Sequence, residues 1–220
     1  APVYDEFVAK VTRKVTALRQ GVPGAAGSVD VGAITFPPQI DTIESHVRDA
    51  VDKGARIAVG GHRGSGPGRF FQPTVLLDVD HTMSCMTDET FGPTLPVMKV
   101  ADEAEAIRMA NDGAYGLASS VFTRDIARGE RVARRLNAGV TWINDAIMSY
   151  LAQEAPFGGA RDSGLGSRHG PGGIRKYCQT QTILTTRFAL KREPTMFPNT
   201  VQRSKLFEKL MVVLWGRSPK

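Results

Sequence analysis

The sequence predicts an α/β fold: a parallel sheet with helices on its faces, followed by a basic C-terminal tail. Three observations predict it. Between Leu95 and Ile143, short runs of β formers alternate with segments of helical period. Glycines and capping residues fall at the joints between those runs. The charge is split along the chain: Ala1 to Thr186 carries 20 Lys+Arg against 20 Asp+Glu, whereas Arg187 to Lys220 carries 8 against 2. A neutral body argues against nucleic acid as a partner. A basic appendage argues for a partner of its own, an acidic surface or an anionic lipid.

The elements follow in order. Val3, Phe7, Val8, Val11, Val15 and Leu18 recur at helical spacing, with Asp5 and Glu6 in the first turn and Gly21 past the end. A chain of 220 residues that lacks an initiator Met and opens inside a regular element reads as a fragment or a processed product. Val22 to Phe36 is rich in Gly, Ala and Pro and reads as a loop. Pro38 to Lys53 is a second helix, with Ile40, Ile43, Val47 and Val51 on one face and Gly54 as its stop.

Arg56 to Val59 is a short strand, and Phe71 to Leu77 a second. The glycine-rich run between them, Gly60 to Gly68, is not a phosphate loop. No Gly-Lys-Ser/Thr follows it and no helix begins there. Leu95 to Val100 is a strand, Ala101 to Asn111 a helix, Ala118 to Phe122 a strand, Asp125 to Asn137 a helix and Gly139 to Ile143 a strand. Arg168 to Cys178 is a helix with Pro171 near its start. Gln179 to Thr186 is rich in β formers and reads as a strand.

Two segments carry chemistry. The first is Asp88-Glu89-Thr90-Phe91-Gly92-Pro93. An ionised carboxylate offers two acceptor oxygens, so Glu89 can take both hydroxyls of a ribose diol. In an extended segment residues i and i+2 share a face, which sets the Phe91 ring beside Glu89. Gly92 leaves room for a close backbone approach and Pro93 fixes the exit. The second segment is Pro156-Phe157-Gly158-Gly159-Ala160-Arg161-Asp162-Ser163-Gly164. Its glycines turn the backbone sharply and hold an aromatic ring, Phe157, at the lip of a pocket or as a plug under a loop.

Taken together these segments resemble the C-terminal half of an aldehyde dehydrogenase. The first is similar to that family's Glu-x-Phe-Gly-Pro motif, the second to its Pro-Phe-Gly-Gly-x-Lys-x-Ser-Gly motif. Asn111-Asp112-Gly113-Ala114-Tyr115-Gly116-Leu117 and Trp142-Ile143-Asn144 lie between them in matching order. The resemblance runs from about Val3 to Phe188 and leaves the tail unmatched. It implies a catalytic-domain portion over residues 1–178, an oligomerisation strand over 179–188 that extends a partner subunit's sheet, and a tail over 189–220. It implies NAD or NADP as cofactor, with Glu89 on the nicotinamide ribose and Phe91 against the ring. It implies Phe157 lining the tunnel for an aldehyde substrate, and a homo-oligomer, dimer or tetramer. Asn144 is expected to tie down the loop that presents Phe157. The family usually has Lys where this chain has Arg161, and the two are not interchangeable at a fixed site. The Gly-Leu-Gly run and the long tail loosely resemble succinate-semialdehyde dehydrogenases or long-chain aldehyde enzymes.

The family's reaction needs a cysteine nucleophile and a glutamate base, and the resemblance places both before Ala1. Cys85 and Cys178 are poor substitutes: no His neighbours Cys85, and Cys178 ends a helix, where the dipole disfavours a thiolate. The expectation is a part of an aldehyde dehydrogenase that is inactive alone. The alternative is a non-catalytic assembly module that keeps the fold and the interface. Two lone thiols fit a reducing compartment, with the cytoplasm as default. His46, His62, His81 and His169 show no metal-ligand spacing.

In the tail, Leu206, Phe207, Leu210, Met211, Val213 and Leu214 share a broad helical face, with Glu208 and Lys209 opposite. Such a helix is too short to span a bilayer. It packs on protein, the favoured reading, or makes a peripheral contact with an anionic membrane.

Overall fold

The computed structural model describes residues 3–66, 68–188, 197 and 200–216. It divides into two units, Ala1–Tyr177 and Cys178–Lys220. In the first unit, α1 (Tyr4–Thr16) and α2 (Gln39–Asp52) form where the apolar spacing predicts them. α2 buries Ile40, Ile43, Val47 and Ala50, while Val51, expected on that face, is exposed. The buried stripe centres on Ile43 and Val47, and at 3.6 residues per turn Ala50 lies nearer its middle than Val51 does.

β1 (Arg56–Val59), β2 (Thr74–Leu77) and β3 (Thr94–Val97) make one sheet with β2 in the centre. All four residues of β2 are buried. Its alternating side chains serve two layers, as the two-residue period of a strand dictates. Leu76 joins Ile43, Phe71 and Met83 under α2, whereas Val75 and Leu77 meet Tyr4, Val8, Val11 and Val15 of α1. β2 and β3 run parallel, with Thr74 opposite Thr94 and Leu77 opposite Val97.

β1 runs antiparallel to β2, an exception to the parallel pairing expected. A parallel pair needs a crossover of a dozen or more residues, usually through a helix. The glycine-rich connector holds no helix, and the chain folds back beside its own strand.

β5 (Ala118–Val121) and β6 (Val140–Ile143) form a second parallel pair, joined through α5 (Ile126–Ala133). Asp125 caps α5 by accepting from the Arg128 N–H at 2.9 Å. Asp102 caps α4 (Glu103–Ala110) in the same way, accepting from the Glu105 N–H at 2.8 Å. β4 (Tyr115–Gly116) and β7 (Ala160–Arg161) pair antiparallel and tie the second motif to the chain before β5. These two strands, α3 (Ser84–Thr87) and a 3₁₀ turn at Met148–Leu151 are too short for periodicity to reveal. α6 (Gly170–Arg175) carries Pro171 in its first turn.

In the second unit, residues 179–186 are exposed and carry no regular element in the single chain. A strand there needs hydrogen bonds from another backbone. α7 (Val201–Trp215) follows, longer than its apolar pattern alone predicts. No described helix is long and apolar enough to cross a membrane.

Candidate active site

The first motif links α3 to β3. Its anchor is Thr90, which no motif or period marks. The Thr90 hydroxyl meets His46 Nδ1 of α2 at 3.0 Å. The Thr90 carbonyl accepts a hydrogen bond from Gln39 Nε2, at the start of the same helix. Three residues on, the Pro93 carbonyl accepts from the Thr74 N–H at 2.8 Å. Between these ties, Gly92 lies against Ile43: a Cβ placed there would come within 2.5 Å of its Cγ1 and Cδ1. Gly92 is therefore small because α2 is close, a different reason from the ligand approach expected.

Glu89 and Phe91 flank the anchor and are exposed, Phe91 by 79%. The expectation of an extended segment is corrected here. Phe91 has φ 45°, in the left-handed region, so the i, i+2 rule does not apply across it. A bulky residue in that region costs about 1–3 kcal/mol and persists only where its surroundings over-determine it. Thr90, Gly92 and Pro93 supply that constraint. The result is an apolar ring and a carboxylate held out of the body on either side of a pinned residue.

The second motif is built on a different part of the unit. The Phe157 and Arg168 backbones exchange two hydrogen bonds, of 2.8 and 2.6 Å. The half-buried Phe157 ring stacks on Trp142 at 6.3 Å between centroids and meets Tyr150 edge-on at 4.8 Å. His169 packs against Tyr150 at 4.9 Å. Tyr150 and His169 were not legible as site residues, because the 3₁₀ turn and the Phe157–Arg168 bridge place them at Phe157. Phe157 also lines a cavity of about 430 Å³ with Leu117, Tyr150, Leu165, Arg168 and Lys176.

Arg161 holds this loop to the body. Its guanidinium donates to the carbonyls of Asn111 at 2.9 Å and Asn137 at 3.1 Å, and to that of Gly113. A planar fork of donors suits three converging carbonyls better than an ammonium does. Asn144 does not tie down the Phe157 loop directly, as was expected. Its side chain bonds both ways to the Thr123 backbone, at 2.8 Å each, and so locks the end of β6 to the turn after β5.

Cys85 is buried in the α2 core, and burial pushes its thiol up, with Asp49 adding to the shift. Such a thiol stays protonated and is a poor nucleophile. Cys178 is exposed. No group of three or more His, Cys, Asp or Glu suited to a metal occurs among the described residues.

Residues 1–183 match the model of the aldehyde dehydrogenase family. The chain belongs to that family. It is 38% identical over 214 residues to a putative NADP⁺ succinate-semialdehyde dehydrogenase of Mycobacterium ulcerans, covering 96% of this chain and 41% of the relative. It is 37% identical over 217 residues to a 4,4'-diapolycopene aldehyde oxidase of Methylomonas, covering 97% and 39%. Among solved structures, it resembles a Mycobacterium tuberculosis aldehyde dehydrogenase complexed with NAD⁺, with a TM-score of 0.78 and 35% identity over 86% of this chain and 39% of that one. An apo betaine aldehyde dehydrogenase mutant of Staphylococcus aureus superposes with the same TM-score of 0.78 at 36% identity, over 86% and 38%. The chain thus spans about two fifths of the relatives it matches. It shares with them the α/β fold of an aldehyde dehydrogenase catalytic domain. The tail, expected to be unmatched, lies largely within the similarity to the two relatives named.

Proposed function

We propose that this chain is the cofactor- and substrate-facing part of an NAD(P)-dependent aldehyde dehydrogenase that oxidises an aldehyde to a carboxylic acid. One observation carries the reading: an exposed Phe91 ring at φ 45° beside an exposed Glu89, both held by a pinned Thr90. Water gives no reason to hold an apolar ring out at a backbone cost. A dinucleotide cleft does. The side chains fit the group: two carboxylate acceptors for a vicinal diol, and a flat apolar surface for a heteroaromatic ring. When bound, the nicotinamide supplies the acceptor for the hydride lost by the substrate.

The chain's own residues position and enclose. Glu89 orients a ribose, Phe91 excludes water from one face of the ring, and the Phe157–Tyr150–Trp142 cluster shapes an apolar approach for the aldehyde. The raised Cys85 thiol supports assigning the nucleophile and base to residues outside these 220, in the part of the relatives that this chain does not match. In this reading residues 1–178 are the catalytic-domain portion, and residues 179–188 add a strand to a partner subunit's sheet in a dimer or tetramer. Residues 189–220 form the tail. Two cysteines that form no disulfide, one of them buried, fit the reducing cytoplasm.

The test is a nicotinamide-nucleotide assay with a short aliphatic aldehyde and with succinate semialdehyde. The 220 residues alone give no reduced nucleotide, while the complete gene product gives it with at least one aldehyde. Turnover by the isolated chain would falsify the assignment of the nucleophile. A complete product that forms oligomers indifferent to NAD and NADP would instead identify an assembly module.

A further inference from the structure

α7 is not amphipathic in the way its sequence suggests. Its polar residues, Gln202, Arg203, Ser204, Lys205, Glu208 and Lys209, crowd its first ten positions, whereas Leu210 to Trp215 is an unbroken run of six apolar residues. At 3.6 residues per turn such a run faces every direction around the axis. All six side chains are exposed, from 45% at Leu210 to 77% at Val213. One flat protein face leaves part of such a block in water, whereas a lipid headgroup boundary takes up apolar side chains to a depth of about 5–10 Å.

The charge around the block selects the kind of lipid. The segment from Arg187 to Lys220 holds 8 basic and 2 acidic residues. Lys205 and Lys209 precede the apolar run, and Arg217 and Lys220 follow it in sequence. Basic residues on both sides of a short apolar block match a plane of phosphates above a shallow hydrocarbon layer, which long Lys and Arg side chains reach by snorkelling. Trp215, at the end of the run, is a residue type favoured at the membrane–water boundary. At 15 residues the helix is about 22 Å long at 1.5 Å per residue. That is short of the roughly 30 Å hydrocarbon core, so it lies in the boundary and does not span.

We propose that α7 is a peripheral membrane anchor that inserts Leu210–Trp215 at the headgroup boundary of anionic bilayers. This stands independently of the reaction assigned above. The helix would hold the protein against a membrane surface.

The test is flotation of the 220-residue chain with vesicles of phosphatidylcholine containing 30% phosphatidylglycerol, a mole fraction on the order of that in anionic membranes. The partition coefficient is expected to exceed by at least about tenfold that of a chain ending at Phe188, and to fall as salt rises from about 0.1 to 0.5 M. Leu210→Ser with Val213→Ser abolishes binding without changing the circular dichroism of the first unit. Brominated lipid quenches tryptophan emission in the native chain, and the quenching disappears in Trp215→Phe. Equal binding of intact and truncated chains overturns the proposal. So does concentration-dependent self-association through α7 with no vesicle binding, which makes a second copy the occupant.

Discussion

Substituting Gly92 by Ala probes the seat of the cofactor motif. Gly92 does not have a positive φ, so backbone conformation does not demand glycine there. By the unfolded-state argument alone, Ala would stabilise by about 0.4–1 kcal/mol. The packing opposes this. The new methyl would come within 2.5 Å of Ile43 Cγ1 and of Ile43 Cδ1. Ile43 is fully buried and β-branched, so it cannot swing aside as a surface chain would. Overpacking of this kind costs about 1–3 kcal/mol, which leaves a net loss of roughly 0.5–2 kcal/mol. Urea unfolding followed by circular dichroism measures it as a lower midpoint at unchanged slope. Ile43→Val removes the Cδ1 contact, at a cost of about 0.5–1.5 kcal/mol by itself. In that background Gly92→Ala becomes milder, so the two changes couple with a positive sign. A stabilising Gly92→Ala, or strict additivity in the double variant, would refute the steric reasoning.

Three further outcomes follow from other contacts. Asn144 has φ 57° and makes two side-chain bonds to Thr123, so Asn144→Ala loses both bonds and keeps the backbone cost, at about 2 kcal/mol; Asn144→Gly costs less, and the thermal midpoints should rank Asn above Gly above Ala. Arg19 donates side-chain and backbone hydrogen bonds to Asp30, lowering its carboxyl from 3.8 to about 2. A depressed carboxyl contributes stability above its unfolded value and loses it as pH falls toward the folded one. The deficit of Asp30→Asn at neutral pH should therefore shrink between pH 3.8 and about 2, as read by protease sensitivity of the 20–31 loop. A disulfide-exchange reagent should titrate Cys178 quickly in the native chain, and Cys85 only after denaturation, because one thiol is exposed and the other buried with its ionisation raised.

Most of the scaffold was legible because its elements obey one period each. The Ile40–Ile43–Val47 stripe located α2. Asp125 located the start of α5 and its side chain accepts as that position requires; Asp102 caps α4 in the same way, one residue after the start expected at Ala101. The direction of β1 was not legible. Period tells which face a strand buries, and only the length and content of the connector tell which way it returns. The candidate site could be named from the sequence, but its supports could not. Glu89 and Phe91 were singled out, but what holds them comes from Gln39 and His46, some fifty residues earlier in the chain, through backbone and hydroxyl contacts that no local pattern marks. Arg161 looked like a loosened version of a lysine site, yet its three carbonyl partners give the guanidinium its own geometric reason. The tail helix carries apolar residues beyond the face first drawn. Its apolar residues could be drawn on one face, but Val212 and Trp215 complete the circle.

The nucleotide KM of the complete gene product with Glu89→Gln weighs the cofactor role of this carboxylate against everything else. The amide keeps the size of the side chain and removes its charge. Losing charge-assisted bonds to a ribose diol costs about 1.5–3 kcal/mol, so KM for the nicotinamide nucleotide should rise roughly ten- to hundredfold at unchanged thermal stability. A KM within about twofold of the parent, at the experimental scatter of such comparisons, would contradict the placement of Glu89 in the cleft.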